Sequence, residues 1–192
     1  MESIIKMTSN KRRYFNALPK DAEFFGTPAY AIDPIIKYIP KHVKTIWEPT
    51  SGRCDIANYL KKKKYKVKTT DLYPQLDGIE KHNFLTDDFL EDYDMIILNP
   101  PFKQMVPFIK RLYEQDKPFM FIAPLHGVTS MKRQKVFAKH GINLILFDLR
   151  VHYLMENEKD RDHCPYYSSW FLGNVEFKNR FFFEQLDKKK KY

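Results

Sequence analysis

The segment YDMIILNPPF, Tyr93 to Phe102, carries the most chemically specific residues of the chain. Two consecutive prolines, Pro100 and Pro101, fix φ and forbid continuation of a helix or a central strand. Asn99 and Pro100 are thereby held at a corner. There they can present two carbonyl acceptors at one point, the Asn99 side-chain amide and the Pro100 backbone C=O. An exocyclic amine has two N–H donors, and holding both aims its lone pair in one direction. That is positioning combined with electrostatic preorganisation. Phe102 adds a flat ring that can stack on the ring carrying the amine. The plainer reading is a turn that breaks a strand.

Three further stretches have side chains suited to a ligand. WEPTSGRCD, Trp47 to Asp55, contains Gly52, which permits a tight turn and close approach to backbone amides at a helix N-terminus. Glu48 can accept hydrogen bonds from a cationic or hydroxylated ligand. The turn lacks GxGxxG, because Cys54 stands at the usual later glycine, so a dinucleotide fingerprint is not met. TTDLYP closes a strand and carries Asp71, an acid that can there bind the two hydroxyls of a ribose; a turn aspartate before a proline is the competing reading. HNFLTDD offers the Asn83 amide and the Phe84 ring, or is simply a loop. The six histidines are scattered without HExxH or CxxC spacing, so no metal site is expected. His126, Lys132 and Arg133, in HGVTSMKRQK, could meet nucleic-acid phosphates, or lie on an exposed helix face.

The elements that must position these residues follow from periodicity. PAYAIDPIIKYIP reads as a short helix after Pro28, starting at Pro34 if that proline caps it. VKTIWEP, YKVKTTDLYP, DMIILN, PFMFIAP and INLILFDLRV read as strands; CDIANYLKKKK, VPFIKRLYEQ and SMKRQKVFAKHG read as helices, the last running from a Ser130 cap to Gly141. Strand alternating with helix predicts a parallel sheet covered on both faces. YYSSWFLGNV and FKNRFFFEQL, split by Gly173-Asn174, carry a hairpin signal. The expected fold is α/β and Rossmann-like, a seven-stranded, mostly parallel sheet with an antiparallel C-terminal hairpin. Glu48, Asp71 and Asn99 then share the rim at the carboxyl ends of the strands, where ligands of such sheets bind.

The 192 residues suit one domain, with a basic N-terminal segment at 1–23 and no separate recognition domain. At 43% hydrophobic and 30% charged, the chain can bury a core. No apolar run approaches a membrane span, and the N-terminus lacks a signal-peptide h-region. Two cysteines make no disulfide framework, which points to a reducing, cytoplasmic compartment. The net charge of +9 favours polyanions as partners.

In their order, FFGTP, WEPTSG, TTDLYP, NFL and LNPPF resemble S-adenosylmethionine-dependent amino methyltransferases, and most closely the DNA N6-adenine methyltransferases. RVHY and YSSWFL are similar to the late strands of that family, so the resemblance covers most of Phe24 to Leu172. It implies S-adenosylmethionine as cofactor, with Phe25, Thr27 and Pro28 near its methionine part. Glu48, Ser51 and Gly52 would hold its amino-acid moiety, Asp71 its ribose, and Leu72, Asn83 and Phe84 its adenine. Asn99, Pro100, Pro101 and Phe102 would hold the target base. Two residues depart from the pattern: Cys54 replaces a common glycine, and Asn83 replaces an aspartate.

The resemblance implies methyl transfer to the N6 amine of adenine in DNA, the base being flipped into the NPPF pocket. The NPP corner also serves RNA amino methyltransferases, cytosine-N4 enzymes and enzymes that methylate a protein glutamine. A nucleic-acid-binding module without turnover is the non-enzymatic alternative. The stretch 150–167 is the candidate target-facing loop. Its small size suggests a short site, a single-stranded preference, little selectivity or a partner subunit.

Overall fold

The structure is a computed structural model that describes residues 25–154 and 166–190. The segment 1–23 and positions 155–165 of the expected target-facing loop lie outside the described residues. The chain enters with α1, Ala29–Ile32, directly after Pro28. Pro34 then opens a 3-10 turn, Asp33–Tyr38, where its missing N–H goes unused.

From there strand and helix alternate: β1 (Thr45–Glu48), α2 (Asp55–Lys62), β2 (Lys66–Asp71), the two-residue β3 (Glu80–Lys81), β4 (Met95–Leu98), α3 (Met105–Tyr113), β5 (Phe119–Pro124), α4 (Met131–His140), β6 (Asn143–Phe147), β7 (Ser168–Gly173) and β8 (Phe181–Glu184). One sheet holds the eight strands in the order β3-β2-β1-β4-β5-β7-β6-β8. β7 runs antiparallel to β5 and β6, and every other described pairing is parallel.

Two details differ from the sequence expectation. Among the described residues there are eight strands rather than seven, the extra one being the short β3 on the edge beside β2. The antiparallel pair at the C-terminal end is β6 with β7, while Gly173-Asn174 leads the chain over β6 to β8 instead of closing β7 onto β8. Burial accounts for this order. β6 begins with three buried residues and suits the interior, whereas β8 alternates exposed and half-buried positions and suits an edge.

Period-2 alternation sends neighbouring side chains to opposite faces. Ile46, Met95, Ile97, Met120, Ile122 and Trp170 pack with α1 and α2 on one side. Trp47, Ile96, Leu98, Phe119, Phe121 and Phe171 pack with α3 and α4 on the other. Both buried indoles find acceptors: Trp47 Nε1 donates to Thr70 Oγ1 at 3.0 Å and Trp170 Nε1 to the Ala31 carbonyl at 2.8 Å. The chain fills the sheet outward from β1 in one direction through β2 and β3, and in the other through β4 and β5. The reversal falls between β1 and β4, where a crevice opens beyond the strand ends.

Candidate active site

A cleft of about 260 Å³ lies at that reversal. Asn99 sits on its edge, immediately after β4. Its Nδ2 donates to the Phe25 carbonyl at 2.6 Å and to Thr27 Oγ1 at 3.3 Å. A carbonyl can only accept, so this contact fixes which end of the amide is nitrogen. Oδ1 is buried and has no hydrogen-bond partner among the described residues. A buried acceptor left unpaired costs about 1–3 kcal/mol, which a donor arriving in the cleft would recover. The Asn99 backbone carbonyl accepts from Thr50 Oγ1 at 3.1 Å, tying the corner to the turn after β1. Pro100 and Pro101 line the same cleft.

The turn from β1 to α2 supplies the next wall. The Glu48 carboxyl, 2% exposed, accepts from the Ala57 N–H at 2.9 Å. Burial pushes its pKa well above the usual carboxylate range, and Asp55 and Asp71 act in the same direction. A cation in the cleft would reverse that shift. Ser51 is buried in this turn. Gly52 takes φ +48°, and its N–H donates to Asp71 Oδ2 at 2.8 Å. Cys54 has φ +61°, the left-handed conformation that glycine adopts without penalty. Burial pushes its thiol up to about 11.

Asp71 ends β2 half-buried and faces the cleft. Its Oδ1 accepts from the Tyr73 N–H at 2.8 Å, so each carboxylate oxygen already holds one backbone donor. An ionised carboxylate has about four acceptor positions, which leaves capacity for hydroxyl donors. Leu72 and Tyr73 are 36% and 42% exposed and offer apolar surface beside it. Asn83 Oδ1 accepts from the Leu85 N–H at 3.1 Å, so this oxygen serves its own turn as well as facing the cleft. Phe84 is only 3% exposed and stacks on Phe108 at 5.4 Å, so it forms floor rather than platform.

Thr27 is buried beside Asn99, and Pro28 is buried at the start of α1, away from the cleft lining. Phe102 does not line the cleft. It stacks on Phe25 at 5.4 Å and 11°, with Tyr153 edge-on at 5.9 Å, so it has at most one face for a base. His126 and Lys132 are exposed on the same rim but outside the cleft. Arg133 folds back, its Nη1 donating to the Gly127 carbonyl at 3.2 Å.

Arg53, Asp55, Gln75 and His82 are among the cleft residues that sequence reasoning missed. Arg53 and Asp55 form a pair at 3.6 Å that packs on Gly26, where a Cβ would lie 2.4 Å from Asp55 Oδ2 and 2.8 Å from an Arg53 nitrogen. Gln75 Nε2 donates to the Tyr73 carbonyl, and its buried Oε1 has no partner among the described residues. His82 Nε2 donates to the Asp88 carbonyl at 2.9 Å, and its buried Nδ1 has no partner among the described residues. A lone Gln or His has no spacing signal; only the fold shows that they face a ligand space. The sole hint was that Arg53 and Asp55 flank the position of the missing glycine.

No family model matches the chain, and no curated protein is significantly similar to it in sequence. Solved structures do share its fold. The methyltransferase subunit of a type I restriction-modification system from Streptococcus thermophilus aligns with a TM-score of 0.57 at 14% identity, over 84% of this chain and 47% of that one. A Listeria monocytogenes protein assigned to the class I S-adenosylmethionine-dependent methyltransferases aligns at 0.53 and 14% identity, over 82% and 62%. An S-adenosylmethionine-dependent O-methyltransferase from Thermotoga maritima aligns at 0.50 and 12% identity, over 83% and 70%. The fold is therefore the Rossmann-like fold of S-adenosylmethionine-dependent methyltransferases. The chain spans about half the length of the Streptococcus subunit.

Proposed function

We propose that this chain transfers a methyl group from S-adenosylmethionine to the N6 amine of an adenine in DNA, with the base extruded into the cleft. The observation that carries this reading is the Asn99 amide, whose nitrogen is tethered and whose oxygen has no partner among the described residues. That is an acceptor waiting for an N–H donor.

The residues present fit the cofactor. Glu48, Ser51 and Gly52 would hold the amino-acid end, with Phe25 and Thr27 near the methionine chain and Pro28 supporting them from behind the lining. Asp71 would take the ribose hydroxyls through its remaining lone pairs. Leu72 would cover the adenine, with Asn83 and Phe84 at its edge. When bound, the cofactor supplies an electrophilic methyl on a sulfonium. The chain's own work is to hold the amine: Asn99 Oδ1 and the Pro100 carbonyl accept its two N–H groups and favour the positive charge that grows on nitrogen.

The +9 net charge supports a nucleic acid over a protein substrate. The similarity to a restriction-modification subunit supports DNA, with target recognition supplied by a partner subunit. The test is incubation with tritiated S-adenosylmethionine and a panel of duplex DNA, single-stranded DNA, RNA and protein. Label recovered as N6-methyladenine in DNA is expected. Label only in RNA or in protein glutamine would replace the substrate assignment. Cofactor binding without transfer to any of the four would favour a binding module.

A further inference from the structure

We propose that His126, Tyr166, Tyr167 and Arg150 form a stacking platform for an unpaired nucleotide next to the target base, so that the chain prefers single-stranded DNA to duplex. The proposal rests on the reading above and deepens it.

Sheet geometry puts the platform beside the cleft. β4 and β5 are parallel neighbours, with Leu98 opposite Phe121, and β5 pairs with β7 so that Pro124 faces Ser168. Leu125 and His126 therefore emerge one strand away from Asn99, and Tyr166 and Tyr167 two strands away, on the same rim. At about 4.8 Å per strand Tyr167 lies roughly 10 Å across the rim from Asn99, and, level with Leu125 where Asn99 is level with Ile122, about 10 Å further along the strands; the separation of roughly 14 Å is within reach of a nearby nucleotide of the same strand. β6 ends on this rim too, which places Arg150 there.

The side chains suit a base more than a core. Tyr166 and Tyr167 are 52% and 49% exposed, so burial does not explain them. Their backbone is nevertheless fixed, because the Tyr167 carbonyl accepts from the Leu125 N–H at 2.7 Å. The His126 ring lies 4.7 Å from that of Tyr166, and the Arg150 guanidinium sits 5.2 Å from the Tyr167 ring centroid. Leu125, His126, Val128, Thr129, Tyr166 and Tyr167 line a depression open to solvent. Aromatic rings with an adjacent cation hold unpaired bases without sequence preference. A duplex hides the faces of the neighbouring bases in its own stack; an unpaired strand exposes them. The net positive charge selects a polyanionic occupant over an apolar one.

The test is equilibrium binding of labelled oligonucleotides to the full chain at fixed salt, followed by fluorescence anisotropy. Four probes are compared: a single strand with one adenine, its duplex, and both with abasic residues flanking the adenine. Parent, Tyr166→Ala/Tyr167→Ala and Tyr166→Phe/Tyr167→Phe are compared, with cofactor binding measured for each. The alanine pair is expected to lose about tenfold or more in affinity for the intact single strand. It should lose little for the duplex and nothing further on the abasic strand, while the phenylalanine pair retains binding. Equal affinity of parent and alanine pair for the intact strand would overturn the platform. So would the same loss on the abasic strand. If the parent bound cofactor but no nucleic acid, the DNA reading would fall and the platform with it.

Discussion

The Asn99 side chain is tied by its nitrogen to the carbonyl of Phe25, 2.6 Å away in space and 74 positions away in sequence. One end of the amide is thereby committed to the fold, and the other is presented to the cleft. The Phe25 ring in turn rests on Phe102. The NPPF phenylalanine therefore braces the residue that anchors the NPPF asparagine.

Phe102→Ala is expected to act through that brace. Loss of a half-buried ring stacked on Phe25 should destabilise the fold by roughly 1–3 kcal/mol. It should also reduce methyl transfer by loosening Phe25. Phe102→Tyr should retain most of both. Denaturant midpoints and turnover measured on the same preparations check this. Full stability in Phe102→Ala with lost turnover would mean that the ring acts on the substrate alone.

Glu48→Gln should separate stability from binding. The folded pKa of Glu48 lies above its unfolded value, so the folded state holds its proton more tightly. Its effect on stability is therefore a loss that sets in as pH rises above the ordinary Glu value of about 4.3 and levels off beyond the folded pKa. Glutamine cannot ionise and can still accept from the Ala57 N–H. The variant should melt higher than the parent at neutral pH without ligand, by about 2–4 °C for each kcal/mol gained, and the gap should close toward pH 4. Affinity for S-adenosylmethionine should fall about tenfold to a hundredfold with the lost charge-assisted contact. Melting curves across pH and calorimetry read the two effects. A gap that widened at low pH would contradict the sign.

Cys54 provides a test of backbone strain. A non-glycine residue at φ +61° carries about 1 kcal/mol or more of steric cost. Cys54→Gly relieves this strain but loses a buried thiol, so the two terms should nearly cancel. Cys54→Ala loses the thiol and keeps the strain. Alanine should therefore be the less stable variant, the reverse of the usual order, by about 1 kcal/mol in a denaturant titration. Alanine more stable than glycine would show that the turn tolerates a Cβ without strain.

Much of the layout was legible because it rests on short-range rules. The apolar runs MIIL and FMFIAP forecast strands buried on both faces, and the carboxyl-end rule puts Glu48, Asp71 and Asn99 on one rim, where all three line the cleft. The Gly173-Asn174 turn misled, because a turn dipeptide says where the chain bends and not which strand it then joins. Here the buried stretch of β6 took the place between β7 and β8. The cleft was legible only in part. NPPF marks its corner by covalent stiffness, but Gln75 and His82 reach it through long-range packing that leaves no local pattern. Nor could the sequence show that Phe25 would cover one face of Phe102, or that Asn83 would spend its oxygen on Leu85.

The most direct test is single-turnover methyl transfer to DNA by Asn99→Ala beside the parent, with cofactor affinity measured in parallel. Asn99 is half-buried on the rim, so the variant loses the tether to Phe25 but no core side chain, and should fold and bind S-adenosylmethionine within about tenfold of the parent. Its rate should fall about a hundred- to a thousandfold, the usual consequence of removing one preorganised polar group worth about 2.7–4 kcal/mol at a reacting centre. Transfer at the parental rate by Asn99→Ala would show that the corner is only a turn, and would contradict the account.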